Sequence, residues 1–399
     1  QVYLPAVFGY IPRDMVRAIR AFLEFCYLAR RNVHTDATLQ QQQEALDRFH
    51  RYREVFERAG ILPNGFNLPR QHSLNHYRIL TWDFGAPNGL CSSITESKHI
   101  QAVKEPYRRS SRNEPLREII LTNQRLAKLA AARVDFTDRG MLEGTCLEAA
   151  EPEGPGHDNF VSRTRTRINK LDARAAAEQE DADGAIDIPT SSGSIPKLRE
   201  YLQRFLFDVR NPRSPQRGFQ VSLAICPVPS GNIKVYYSAA ASFYAPSDPS
   251  GVGGMRREHI RATPSWFKTK QPRFDCVFVK HNSQGEASSL NIARVHLFFA
   301  FRFNRVEYQC ALVRWFEIVG QEPDEDTGMW TVRPVPPRSR MGPAMSVIHL
   351  NSIIRAAHLI PVYGVRRVPR ELRHYHSLDL YPLFYVNKYA DHHTFEMLH

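Results

Sequence analysis

Ile292-Ala293-Arg294-Val295-His296-Leu297-Phe298-Phe299-Ala300-Phe301-Arg302-Phe303-Asn304-Arg305-Val306-Glu307-Tyr308-Gln309-Cys310-Ala311-Leu312-Val313-Arg314-Trp315-Phe316-Glu317-Ile318 reads as a long β-hairpin. Ala293, Val295, Leu297, Phe299, Phe301 and Phe303 recur at every second residue, the period of a strand with one buried face. Asn304-Arg305 is short enough to turn the chain between 292–303 and 306–318. Working outward, further strands are predicted at 234–237, 275–280, 329–333 and 346–350. A helix is predicted at 196–209, with Leu198, Tyr201, Leu202, Phe205, Leu206 and Val209 on one face. Residues 195–399 are therefore expected to form a β-rich domain, on the scale of a small SH3-like or bromo-adjacent-homology barrel. In such a barrel Trp315, Trp330 and Tyr363 either fill the core or line a peptide groove. The acidic run 322–326 reads as a solvated turn, and Asp391-His392-His393 as a polar tail that is also capable of binding a metal.

The period is different at the start of the chain. Met15, Val16, Ile19, Phe22, Leu23, Cys26 and Tyr27 fall at helical spacing, and Thr35 or Asp36 can cap a second helix carrying Leu39, Leu46, Phe49 and Phe56. Gly60 and Pro63-Asn64-Gly65 end it, so the two helices are expected to pair antiparallel. A third long helix is predicted at 115–136, with Leu116, Ile119, Ile120, Leu126, Leu129 and Ala130 inward. From 138 to 194 Glu, Asp, Gly, Ala and Arg dominate, a composition too poor in apolar residues to offset the entropy of ordering. The expected organisation is thus a helical part over 1–137, a disordered linker over 138–194 and the β-rich domain over 195–399, an α+β chain.

Composition narrows the function classes. No run of about 18 apolar residues occurs, so no membrane-spanning helix is expected. The six cysteines are scattered without a Cys-x-x-Cys pair, which argues against a zinc ribbon or a disulfide framework and suits a reducing compartment. The N-terminus, beginning Gln1-Val2-Tyr3, has no initiator Met and reads as cut from something longer. A formal charge of +12 favours a polyanionic partner, because neutralising phosphates releases counterions. That charge is concentrated: residues 98–133 hold nine basic residues (Lys98, Lys104, Arg108, Arg109, Arg112, Arg117, Arg125, Lys128 and Arg133) against Glu105, Glu114 and Glu118. Lys104, Arg108 and Arg112 would align at i, i+4, i+8 if a helix continues through Pro106, making a phosphate track or simply a solvated face. Just before it, Glu96 is either an ordinary first-turn carboxylate or a hard oxygen ligand for Mg²⁺ or Mn²⁺. His72 and His76, spaced i, i+4, are half of a zinc site at most and read better as a packed pair.

These residues carry a family resemblance. Leu68-Pro69-Arg70-Gln71-His72-Ser73-Leu74-Asn75-His76-Tyr77 and Phe84-Gly85-Ala86-Pro87-Asn88-Gly89-Leu90-Cys91-Ser92-Ser93-Ile94-Thr95-Glu96-Ser97-Lys98-His99-Ile100 closely resemble Plavaka-type transposases of fungal genomes, in the CACTA-like group. The likeness extends to Phe243-Tyr244-Ala245-Pro246-Ser247-Asp248, Cys310-Ala311-Leu312-Val313-Arg314-Trp315-Phe316 and Ala356-Ala357-His358-Leu359-Ile360-Pro361-Val362-Tyr363-Gly364. The resemblance implies the helical end of a ribonuclease-H-like core, in which Glu96 is the last carboxylate of an Asp-Asp-Glu site for two divalent metals. Lys98, Lys104, Arg108, Arg109 and Arg112 would hold DNA beside it, with His72, His76 and His99 in supporting roles. It also implies work in the nucleus. The two Asp have no counterpart upstream of Glu96, so this chain is expected to bind DNA rather than cut it. The competing expectation is a chromatin or protein-interaction adaptor acting through the β-rich domain.

Overall fold

The computed structural model describes residues 3–66, 68–90, 99–139, 141, 165–168, 197–229, 232–248, 254–266, 271–280, 291–336, 343–364 and 368–399. Its strands, in chain order, are β1 (Arg165–Ile168), β2 (Lys234–Tyr236), β3 (Ser238–Tyr244), β4 (Met255–Trp266), β5 (Gln271–Phe274), β6 (Cys276–Val279), β7 (Asn291–Phe303), β8 (Val306–Val319), β9 (Thr331–Pro334), β10 (Met345–His349), β11 (Ile353–Ala357), β12 (Leu359–Pro361) and β13 (Phe384–Val386). The hairpin that dominates the sequence is β7–β8. Asn304 and Arg305 both adopt left-handed backbone, φ 51° and 67°, as a two-residue turn matched to strand twist requires.

One sheet of nine strands runs β11-β6-β7-β8-β9-β13-β12, with β2 paired to β7 and β10 to β8. Its two ends, β11 and β12, are separated in the chain by His358 alone, so the sheet curls into a nearly closed barrel. The second sheet, β1-β3-β4-β5, lays Ala239, Ala241, Phe243, Ile260 and Ala262 against Val277, Val295, Val313 and Ile353 of the first. The architecture is α+β with a β-rich C-terminal part, as the alternating pattern implies. It has more strands than a small barrel, because the β3–β4 hairpin and β11–β13 carry weak alternation in the sequence. Of the stretch expected to be a disordered linker, the described residues 165–168 form β1, paired with β3; the rest lies almost entirely outside the described residues.

The single apolar face expected for β7 is not observed. Val295 pairs with Val313 and Leu297 with Leu312, so His296 is an extra residue and the strand bulges. The bulge exchanges the two faces. Ala293, Val295 and Phe298 join the core between the sheets, whereas Leu297, Phe299 and Phe301 pack under Leu202, Phe205 and Leu206 of the Leu198–Arg210 helix. One strand thereby serves two cores.

The N-terminal helices form as their spacing dictates, over Arg13–Ala29 and Asp36–Arg58, and Thr35 caps the second by accepting from the Thr38 N–H. The first buries a different set from the expected stripe, and Phe22 is exposed. Ala18, Ala21, Phe25 and Leu28 are also inside, because a second face meets Met329, Tyr385, Tyr389 and Phe395 of the C-terminal part. The acidic turn docks here in part: Glu322 and Glu325 are exposed as expected, whereas Asp326 is 5 % exposed and accepts from Arg17 Nε at 2.8 Å, and Arg17 also reaches Glu325. Gly328, at φ 66°, lets Arg20 pass, since a Cβ there would run into the guanidinium. Beneath lies Glu24, whose carboxylate accepts from Arg20, Arg48 and Lys388 at 3.0, 3.0 and 2.9 Å. Burial alone would raise this carboxyl, but Lys388 and Arg20 outweigh it and hold it at about 2. Lys388 is itself pushed down by burial; the carboxylate, with three cations around it, is the member whose charge is fixed.

Candidate nucleic-acid interface

The cationic stretch folds as an arm of two helical pieces. A π turn, Ile100–Lys104, runs directly into the Glu105–Arg109 helix, so the chain does continue through Pro106, which sits in the first turn where its missing N–H costs least. Ser110 then turns extended, Arg112 takes a left-handed φ of 64°, and the Pro115–Asp138 helix begins. Two contacts fold the long helix back on the short one. Asn123 Nδ2 donates to the Ala102 carbonyl at 2.7 Å, and Glu118 accepts from the Ser111 N–H and hydroxyl at 2.7 and 2.5 Å.

This geometry sorts the arm's charges. Ser111's hydrogen bonds hold Glu118 below its ordinary carboxylate range, and Glu114 lies 3.6 Å from Arg117. Lys104, Arg108, Arg109, Arg112, Arg125 and Lys128 are all exposed. The i, i+4, i+8 alignment is not realised. The helix ends at Arg109, so Arg112 stands on the turn, while Lys104 and Arg108 remain together on continuous helix.

The expected burial of the long helix is also overturned. Leu116 and Leu129 are 70 % and 66 % exposed, and Ile120, Leu126 and Ala130 are exposed as well; only Ile119 is half-buried. Residues 100–109 fold against the first half of the helix, and most of its apolar residues remain exposed. Ile79, Trp82 and Phe84 of the preceding Tyr77–Phe84 helix are likewise in the open.

The residues expected around a metal fare differently. Glu96 and Lys98 lie outside the described residues. His99 is exposed at the head of the arm. His72 and His76 pack edge to face, ring centres 5.2 Å apart, and both are exposed. Among the described residues no three His, Cys, Asp or Glu side chains come together as a metal would need.

The aromatic residues considered for a peptide groove are half-buried. Trp315 donates to Ser346 Oγ at 2.7 Å against the inter-sheet core, Trp330 packs beside Phe384, and Tyr363 meets Tyr381 edge to face. Asp391-His392-His393 is not a loose tail. Asp391 caps the His392–Leu398 helix and binds Arg355, itself 3 % exposed, through both oxygens at 2.9 and 2.5 Å. Burial would raise Asp391, but Arg355 pulls it well below the carboxylate range. Glu258 and His393 complete this cluster, which ties β4, β11 and the C-terminal helix together. Glu258 lies 97 residues before Arg355, and Arg355 lies 36 before Asp391, so no local motif announces the cluster.

No helix among the described residues is long and apolar enough to cross a membrane. No protein-family model matches the chain, and no curated protein matches it.

Proposed function

We propose that the chain is the C-terminal portion of a Plavaka-type DNA transposase and that the arm over 99–139 grips the phosphate backbone of duplex DNA. The exposed cations of the arm, with two of its carboxylates already engaged by Ser111 and Arg117, carry this reading. Phosphate contacts of this kind position a protein on DNA without reading sequence. On the same reading the chain belongs to a ribonuclease-H-like enzyme working in the nucleus, and Glu96 supplies the last of three metal-binding carboxylates for Mg²⁺ or Mn²⁺. The described residues offer no set of ligands for such an ion, so no strand-transfer step is assigned to this chain. A two-metal mechanism needs both ions held at once, which one carboxylate cannot do.

Titration of the full chain with two duplexes of unrelated sequence tests the proposal. Equal affinities are expected, with a loss in Lys104→Glu/Arg108→Glu. Strong preference for one duplex, or no effect of the double substitution, would contradict a backbone grip by the arm. Histone-peptide binding by the chain, with no affinity for DNA, would favour the adaptor reading.

A further inference from the structure

The chain leaves the Leu198–Arg210 helix through a loop whose two ends are tied back to that helix. At the near end Asn211 donates twice to the Phe207 carbonyl, from its N–H at 3.0 Å and from Nδ2 at 2.9 Å. At the far end the Gly218 N–H donates to Asp208 Oδ1 and the Gly218 carbonyl accepts from Arg204, both at 2.7 Å. A Cβ at Gly218 would overlap the Arg204 carbonyl, so the anchor requires glycine. Between the anchors Pro212, Arg213, Pro215, Gln216 and Arg217 are exposed and Ser214 is half-buried. Inside the loop the Ser214 N–H donates to the Asn211 carbonyl at 3.0 Å and the Gln216 N–H to Ser214 Oγ at 3.2 Å.

The loop presents Ser214-Pro215-Gln216-Arg217, a serine followed directly by proline and, three positions on, by a guanidinium. Two hydroxyl residues of the chain precede a proline, Ser214 and Thr263, and the fold separates them. Thr263 is 5 % exposed within β4, its hydroxyl donates to the Ser265 carbonyl at 2.9 Å, and Trp266 stands three positions on. Proline-directed serine kinases take their substrate as an extended strand. Their site accepts the ring after the serine, where no backbone N–H is left without an acceptor, and an anionic group holds the cation at the third position. Extending the chain around Ser214 breaks the bond from the Gln216 N–H, while both anchors on the helix stay in place.

We propose that Ser214 is a phosphorylation site and that the enzyme acting on it is a proline-directed serine kinase. Ser214 Oγ attacks the γ-phosphorus of ATP. The Oγ–P bond forms as the bond from that phosphorus to the bridging oxygen breaks, ADP leaves, and the hydroxyl proton passes to a carboxylate of the kinase. The product suits its surroundings. Residues 211–217 include no carboxylate, Asp208 is already engaged by Gly218, and the phosphate dianion arises with the exposed Arg213 and Arg217 on either side in the chain. The proposal does not depend on what the cationic arm binds.

The test incubates the full chain with radiolabelled ATP and a purified proline-directed serine kinase of the class that selects a basic residue three positions after the serine. Mass spectrometry then locates the phosphate. A synthetic peptide of residues 209–220 is run alongside, with Ser214→Ala, Pro215→Ala and Arg217→Gln of the full chain, and thermal melts verify that each variant is folded. Label is expected on Ser214 in both the folded chain and the peptide, with Thr263 unlabelled. Ser214→Ala should abolish it, and Pro215→Ala and Arg217→Gln should each lose most of it. Labelling of the peptide but not of the folded chain would show the loop closed to the kinase and overturn the proposal. So would label retained in Ser214→Ala, or absence of label from chain and peptide alike. Undiminished labelling of both Pro215→Ala and Arg217→Gln would overturn the assignment to a proline-directed kinase.

Discussion

Two side chains, the buried Glu24 and the half-buried His296, fix how the molecule responds to substitution and to pH. Glu24 is the shared acceptor of Arg20, Arg48 and Lys388, and Glu24→Gln strands a buried ammonium. Removing one partner of such a pair typically costs about 3–5 kcal/mol, so urea denaturation of Glu24→Gln should show a loss in that range. The folded carboxyl titrates at about 2, below its ordinary value, so its stabilisation is complete above the ordinary carboxylate range and declines as pH falls toward 2. His296, in the bulge, behaves in a complementary way. Burial first, then Arg294 and Arg314, push it down to about 4, and its ring stacks on Phe274. The unfolded chain takes up a proton near pH 6.5 that the folded chain refuses until about 4, so stability falls as pH drops across that interval. His393 and His399 are shifted in the same direction, by burial and neighbouring cations. His296→Phe should reduce the stability difference between pH 7 and pH 5; an unaltered difference would show that His296 is protonated in the folded state.

Among the elements, the long strands and helices follow from periodicity because one local pattern dominates each of them. The Arg13–Ala29, Asp36–Arg58 and Leu198–Arg210 helices and the β7–β8 hairpin all lie where apolar spacing puts them. What periodicity missed depends on partners distant in sequence. The bulge at His296 is invisible in a run that is apolar at almost every position, and the second buried face of Arg13–Ala29 exists only because Tyr389 and Phe395 arrive from the far end of the chain. The Pro115–Asp138 helix shows the opposite failure, an apolar side with little to bury it. Leu116→Ser and Leu129→Ser should therefore change stability by no more than about 0.5 kcal/mol, whereas Phe299→Ala, in the core under Leu202, should cost about 3–5 kcal/mol. Thermal melts of the three variants distinguish these outcomes, and a large loss at Leu129 would mean that the helix is packed in solution.

For the molecule as a whole, the helical hairpin, the nearly closed barrel and the C-terminal helix meet around Glu24 and the acidic turn 322–326, and the cationic arm departs from this body. The charge of the arm was legible in the sequence, since the nine basic residues against three glutamates over 98–133 need no tertiary information. Its shape was not: the break after Arg109 moves Arg112 off the helix, and Ser111 rather than a cation takes Glu118. The central claim is that the arm holds DNA by its phosphates, and the salt dependence of binding tests it most directly. For the full chain, log affinity for duplex DNA should fall linearly with log salt, and Lys104→Gln/Arg108→Gln should make the slope shallower by about 1.8, two phosphate contacts' worth. An affinity indifferent to salt, or a slope identical in the variant, would contradict the account.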